Sequence, residues 1–253
     1  MWSVPGAVVE CSTRGNKPSD KLSPMSRSPV SLRVSDLKVG YGKKQVCGEV
    51  SFGLGSGALA FVGPNGAGKS TVMRTVVGQL PALAGTVLLN KAVVDDRTPE
   101  FRRMAALVFD DDAFFPELTV GEHLTMVAAG HGVNDPVGAV DAELEFFQLT
   151  EHDDSLVSSL SSGQRRRLLL AAAFVRPRSL LVLDEPEQRL DTHMRRALAS
   201  RVAACAKAGE TVLLVTHDPE FLTTASKKAL YIADKVESLS AQDAAERIQA
   251  MPA

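Results

Sequence analysis

The chain has 253 residues, of which 45% are hydrophobic, 23% charged and 5% aromatic, with a formal net charge of -2. That is enough apolar material for one sizeable core, and the slightly acidic balance excludes a generally basic nucleic-acid binder. The three cysteines, Cys11, Cys47 and Cys205, are scattered and form no C-x-x-C pair, which excludes a disulfide framework and a cysteine zinc site and fits a reducing compartment. The longest apolar run, Leu168 to Val175, falls far short of the roughly 18 residues a membrane helix needs.

The first segment, Met1-Trp2-Ser3-Val4-Pro5-Gly6, has no basic leader and is followed only by the short apolar stretch Ala7-Val8-Val9, so it does not read as a signal peptide. Residues 1–29, rich in Ser, Pro, Lys and Arg beyond Cys11 and carrying the only tryptophan, Trp2, read as a disordered tail. Then Leu32-Arg33-Val34 and Val50 to Leu54 alternate with period two, with Gly40, Gly42 and Gly48 between them, which predicts antiparallel strands. Ala58 to Val62, Thr86 to Leu89, Met104 to Phe109, Ser179 to Leu183 and Thr211 to Val215 are short, nearly continuous apolar runs of the kind that suits parallel strands buried on both faces. Helical patterns lie among them at Ser70 to Val77, Val120 to Ala129, Val137 to Phe147, Gln164 to Phe174 and Arg195 to Lys207, with a short last one at Ala241 to Ala250. The Arg165 to Arg167 run reads as a solvated helix face without a catalytic role.

Gly63-Pro64-Asn65-Gly66-Ala67-Gly68-Lys69-Ser70-Thr71 matches G-x-x-x-x-G-K-[ST], directly after an apolar strand and at the start of a helix. Glycines let the backbone curl so that successive N–H groups point at phosphate oxygens, and the helix N-terminus adds partial positive charge. Lys69 is placed to reach β- and γ-phosphates and Ser70 to ligate Mg²⁺. A second signal is Leu180-Leu181-Val182-Leu183-Asp184-Glu185-Pro186. Acids at the end of a buried strand are costly unless solvated or paired at the carboxyl edge of the sheet, where ligands bind in α/β folds. Asp184 reads as the Mg²⁺-holding acid and Glu185 as the group that polarises an attacking water.

Two further stretches narrow the class. Leu160-Ser161-Ser162-Gly163-Gln164-Arg165-Arg166-Arg167 opens a helix before Asp184, and Val215-Thr216-His217-Asp218 closes a strand after it. With these, the sequence resembles the ATP-binding subunits of ABC transporters over residues 31 to about 240. The resemblance implies an α/β fold of ABC ATPase type: a P-loop NTPase (RecA-like) core with an antiparallel β subdomain and a helical insertion. The expected layout is an ATPase domain over 30–240, its helical subdomain at about 111–165, and a short C-terminal helix or tail at 241–253.

The same resemblance implies roles for further residues. Tyr41 matches the aromatic that stacks on adenine. Ser161, Gly163 and Gln164 belong to the signature, whose groups contact the γ-phosphate bound to the opposite subunit. Asp191 matches an aspartate at the dimer interface, and His217 a switch histidine on the γ-phosphate. Asp110 stands where the family usually has glutamine and is an expected Mg²⁺ ligand, and Ser162 replaces the first signature glycine. Phe114 and Phe115 are candidate anchors for a membrane partner. The implied protein is a Mg²⁺-dependent ATPase that takes ATP, pairs with a second ATPase subunit (identical or not), and drives separate permease subunits from the cytoplasmic face of the membrane. No nucleic-acid partner is expected. Export is the expected direction, because no added C-terminal regulatory domain follows. The alternatives are an ABC-type ATPase without a membrane partner and a nucleotide-gated binding module with very slow hydrolysis.

Overall fold

The computed structural model describes residues 30–110 and 113–250. The tail reading for 1–29, Asp111, Asp112 and the last three residues lie outside them. An antiparallel layer comes first. Strand β1 (Leu32–Lys38) is followed by a small hairpin, β2 (Gly40–Tyr41) and β3 (Lys44–Gln45), and by β4 (Val50–Leu54). Strand β5 (Gly57–Val62) then runs into the phosphate loop and helix α1 (Lys69–Val76). Next come β6 (Ala84–Leu89), β7 (Ala92–Val93), helix α2 (Pro99–Met104) and β8 (Ala105–Val108). Strands β4, β1, β6 and β7 form one antiparallel sheet in that order.

The helical part follows: α3 (Val120–Gly130), α4 (Pro136–Phe146), two single 3₁₀ turns at Thr150–His152 and Val157–Ser159, and α5 (Ser162–Phe174). The chain ends with β9 (Leu180–Asp184), α6 (Thr192–Lys207), β10 (Thr211–Val215), α7 (Pro219–Ala225), β11 (Lys228–Tyr231), β12 (Glu237–Ser240) and α8 (Ala241–Gln249). The second sheet has the order β12-β11-β5-β10-β9-β8. It is parallel except at β12, which pairs antiparallel to β11. This is the α/β P-loop core with an antiparallel β part and a helical insertion that the sequence predicts.

Alternation within the buried strands divides the core into two. Leu59, Phe61, Leu180, Val182, Leu213 and Val215 face α1 and the antiparallel sheet. Their neighbours Ala60, Val62, Leu181, Leu183, Val212 and Leu214 face the helices of the other side. Both faces of the parallel sheet are therefore covered, which is why its strands read as unbroken apolar runs. Thr86 to Leu89 departs from that reading. It lies in β6 of the antiparallel sheet, paired with β1, and only Val87 and Leu89 of the strand are buried. A four-residue apolar run does not by itself separate a two-sided strand from a one-sided one.

Six helical patterns appear as helices. The pieces the periodicity passed over are short: the β2–β3 hairpin, β7, α2, α7, β11 and β12. Helix α7 carried a local signal, since Asp218 caps it by accepting hydrogen bonds from the Glu220 and Phe221 amides and Pro219 sits at its first turn, an arrangement favourable to a helix start.

The helical part is locked to the core by an aromatic and ionic knot. Phe147 is fully buried, 4.9 Å from Phe146 and 5.9 Å from Phe174 between ring centroids. The Arg201 guanidinium of α6 lies 4.3 Å from the centroids of both Phe146 and Phe174 and holds Glu143 of α4 through two hydrogen bonds of 2.7 and 2.5 Å. Truncation of Phe147 to alanine leaves a cavity that this rigid surround cannot collapse, so Phe147→Ala is expected to lose about 3–5 kcal/mol of stability. Urea unfolding followed by circular dichroism reads this directly, and an unchanged midpoint would show that the knot does not hold the two parts together.

Candidate active site

The carboxyl ends of neighbouring parallel strands bring the site together. Strand β5 delivers the phosphate loop, β10 delivers His217, β9 delivers Asp184 and Glu185, and β8 runs out into Asp110. Register pairs Val215 with both Phe61 and Asp184, so the three central strands end level. This edge is where an open parallel sheet binds ligands.

The loop needs its glycines. Gly63 has φ +143°, and a Cβ there would stand 2.2 Å from the Ile232 carbonyl oxygen. Gly68, with φ +92°, is the residue that starts α1, and a Cβ there would stand 2.7 Å from Val46 Cγ2. Lys69 is buried and its Nζ donates to the carbonyls of Gly63 (3.0 Å) and Pro64 (2.8 Å). Burial pulls its pKa down, while Glu185 and Asp184 act to restore it.

Asp184 is 8% exposed. Burial raises its pKa above the ordinary carboxylate range, opposed first by a hydrogen bond from the Ser70 hydroxyl. Its Oδ1 is buried without a hydrogen-bond partner. Glu185 differs. His217 Nε2 stands 3.3 Å from its Oε1, and this contact holds the Glu185 pKa below the ordinary value against the effect of burial. Gln188 Nε2 donates to the other oxygen, Oε2. Glu185 also adopts φ +47°, a left-handed conformation that costs a non-glycine residue about 1–3 kcal/mol and persists only where the surroundings fix it. An open cavity of about 580 Å³ lies against Glu185, Glu187, Gln188, Arg189 and His217. A smaller cavity of about 280 Å³ between α6 and α7 is lined by charges already matched to one another, Arg195 with Asp218 (3.2 Å) and Arg196 with Glu220 (2.7 Å).

Lys69, Ser70, Asp184, Glu185 and His217 thus form one mutually interacting group. Other expected residues stand apart from it in this chain. Tyr41 is 60% exposed on β2. Ser161 caps α5 in a reciprocal box with Gln164, whose side-chain amide also meets His152 Nε2 at 2.7 Å. Gly163 lies under the loop before α6, where a Cβ would stand 3.1 Å from the Arg189 carbonyl oxygen. Asp191 caps α6 through the Met194 amide (2.9 Å) and pairs with Arg167 (2.6 Å). Asp110 faces Arg189 at 3.2 Å. Phe114 packs against the helical core, edge-on to His123, while Phe115 is exposed.

Two residues escaped the sequence reading. Glu187 is buried and burial raises its pKa. It accepts hydrogen bonds from the Thr216 hydroxyl and the His217 amide (3.2 Å), so it ties the loop after β9 to the end of β10. Arg166 corrects the solvated-face reading of the arginine run. It is 2% exposed and points into the sheet edge, donating to the carbonyls of Phe109, Asp184 and Glu185. A signal was present: Arg166 lies four, seven and eight residues before Leu170, Ala173 and Phe174, which are buried with it on α5, the spacing of one helix face, although three consecutive arginines masked that periodicity.

The Asp184 burial fixes a sign. Its folded pKa exceeds the unfolded one, so the unfolded chain releases the proton first and stability falls as pH rises through that interval. At neutral pH the ionised group opposes folding. Asp184→Asn keeps an acceptor for Ser70 and removes the charge, and is expected to raise the melting temperature of the ligand-free protein by about 2–4 °C. A lower melting temperature at pH 7 would contradict it.

Comparison with known proteins fits this geometry. The family model described as ABC transporter matches residues 47–188. The Nod factor export ATP-binding protein I of Sinorhizobium fredii (strain NBRC 101917 / NGR234) is 34% identical over 206 residues, covering 80% of this chain and 60% of that protein. Its counterpart from Rhizobium etli (strain ATCC 51251 / DSM 11541 / JCM 21823 / NBRC 15573 / CFN 42) is 37% identical over 186 residues, covering 72% and 59%. The chain therefore spans about 60% of the length of these curated relatives. A solved ATP binding subunit of an ABC transporter superposes with TM-score 0.75 at 25% identity, covering 86% of this chain and 93% of that one. A bacterial Atm1-family ABC exporter with ATP bound shares the fold with TM-score 0.73 at 23% identity, covering 88% and 41%. With more than half of its length matched by the family model, the chain belongs to the ABC transporter family.

Proposed function

We propose that this chain binds and hydrolyses ATP with Mg²⁺, and that it energises transport through separate membrane subunits. The observation that carries the reading is the convergence of Lys69, Ser70, Asp184, Glu185 and His217 at one sheet edge beside a left-handed glycine loop. Family membership supports ATP hydrolysis, and the relatives' names speak of ATP binding and export.

The residues present fit a magnesium ion. A buried, unpartnered carboxylate oxygen on Asp184 beside the Ser70 hydroxyl is a hard donor pair of the type Mg²⁺ takes along with phosphate oxygens and water. Among the described residues no group of three or more His, Cys, Asp or Glu is arranged to hold a metal, and a cation held largely by its substrate's phosphates requires none. Ser70 and Asp184 would hold it, with Asp110 added once that side chain leaves Arg189. The ion supplies charge neutralisation on the β- and γ-phosphates.

In the proposed reaction the loop amides and Lys69 bind the phosphates, with Tyr41 under the adenine. Glu185, ionised at neutral pH, orients a water in line with the γ-phosphorus. The water oxygen–phosphorus bond forms as the bond to the β–γ bridging oxygen breaks, and the water proton leaves toward Glu185. His217 steadies the Glu185 carboxylate and stands ready for the γ-phosphate. The signature residues Ser161, Gly163 and Gln164, exposed or half-exposed at the start of α5, would close over the nucleotide of a second subunit, with Asp191 at that interface. No described helix is long and apolar enough to cross a membrane. On the strength of its family, the chain would work on the cytoplasmic face through permease subunits, with exposed Phe115 as the contact and Phe114 as its internal support.

A second reading, a nucleotide-gated module with very slow hydrolysis, draws on Asp110 being engaged by Arg189 and on Ser162 in the signature. Steady-state phosphate release separates the two. The wild-type chain with its membrane partner is expected to exceed Glu185→Gln by at least about 100-fold, while the variant still binds ATP, and chelation of Mg²⁺ is expected to abolish release. Equal rates for wild type and variant would leave only the binding module.

A further inference from the structure

Arg166 is among the largest fully buried side chains of the protein, and a buried arginine is retained only where its hydrogen bonds repay desolvation. Its bonds go to main-chain carbonyls: Nη1 to Phe109 at 3.0 Å, and Nη2 to Asp184 at 2.7 Å and Glu185 at 2.8 Å. Phe109 is the last residue before Asp110, so one guanidinium clamps the ends of two adjacent strands, β8 and β9. Its Nε is buried without a hydrogen-bond partner, so the fork is committed to those carbonyls alone.

The Glu185 carbonyl is the telling partner. Glu185 stands at φ +47°, and its main chain is pinned from both sides. Its own amide donates to the Val215 carbonyl at 3.0 Å, and its carbonyl accepts from the Gln188 amide at 3.1 Å and, more closely, from Arg166 at 2.8 Å. The Gln188 bond closes only the local turn, whereas Arg166 ties the Glu185 peptide to the neighbouring strand ends. A turn without that tie is less restrained against relaxing toward the common right-handed or extended regions and swinging the carboxylate away from His217. Lysine cannot reproduce the clamp, because a single ammonium lacks the planar fork that spans two strand ends.

We propose that Arg166 is the positioning residue that fixes Glu185 for water activation, and that it couples the helix bearing Ser161 and Gly163 to that carboxylate. This goes beyond the ATPase reading above and rests on it for its catalytic consequence. Arg166 touches neither nucleotide nor water in this scheme. Its effect passes through the Glu185 peptide. Arg167, paired with Asp191 at 2.6 Å, makes the parallel connection from the same helix to the start of α6.

The test uses Arg166→Met and Arg166→Lys in the full chain. Arg166→Met is expected to lower kcat by about 10- to 100-fold, the scale of a misplacement near 1 Å, with KM and ATP affinity within about threefold of wild type. Arg166→Lys is expected to fall between, and to serve alone if the methionine variant does not fold. In the Glu185→Gln background the same change is expected to cost nothing further, because the group it positions is already gone. A readout independent of activity is hydrogen–deuterium exchange. The segment 184–191 is expected to exchange faster in the variant while the segment 58–68 is unchanged. Unaltered exchange at 184–191, a further loss in the Glu185→Gln background, or ATP affinity falling in step with kcat would each overturn the proposal. A wild-type chain no faster than Glu185→Gln would overturn the ATPase reading instead, and the exchange measurement would still decide the clamp.

Discussion

A carboxylate buried at the end of an apolar strand is the constraint around which this protein is arranged. Every residue of Leu180–Asp184 is buried, and a charge in that position is expensive unless a counter-charge meets it. The protein supplies a partial answer in the Ser70 hydroxyl and the more distant charges of Arg74 and Arg166, and leaves one oxygen unmatched. A divalent cation with its phosphates would complete the set. The ligand-free site therefore carries a cost that binding removes, so binding and stability are linked.

The same economy governs the backbone around Asp184. Gly63 and Gly68 adopt left-handed conformations at no Cβ penalty, whereas Glu185 and Arg189 adopt φ +47° and +61° as non-glycine residues and need external support. That support comes from unlike elements: the Val215 carbonyl from the neighbouring strand, Gln188 from the loop, His217 from the end of β10 and Arg166 from the signature helix. Pieces far apart in sequence thus converge on one carboxylate and its peptide. Buried Glu187 extends the network by fastening the loop to Thr216 and His217.

Much of this was legible in the sequence because its signals are local. The phosphate loop is a contiguous run whose glycine spacing has a conformational meaning, and Asp184-Glu185 follows an unmistakable apolar strand. What escaped depends on tertiary contact. The arginines at 165–167 are identical as letters, yet position 166 faces a strand end and Arg167 faces Asp191. Thr86 to Leu89 reads like its parallel counterparts, but the antiparallel sheet claims it through pairing with β1. Phe114 and Phe115 are adjacent and equally apolar, and both rings lie beside His123; only the packing of Phe114 against the helical core separates the one inside from the one outside. Asp110 stands where a glutamine was expected, and its partner Arg189 lies 79 positions away, beyond any local pattern.

The central claim is that the glycine loop and the Asp184 edge together grip a magnesium-bound triphosphate. Titration calorimetry of ATP into the purified chain, with and without Mg²⁺, beside Lys69→Ala, tests it most directly. Saturable uptake that strengthens with Mg²⁺ and is lost in the Lys69 variant is the predicted result. Uptake by the variant equal to that of the wild type, or no uptake by a well-folded wild-type chain in the presence of Mg²⁺, would contradict the account.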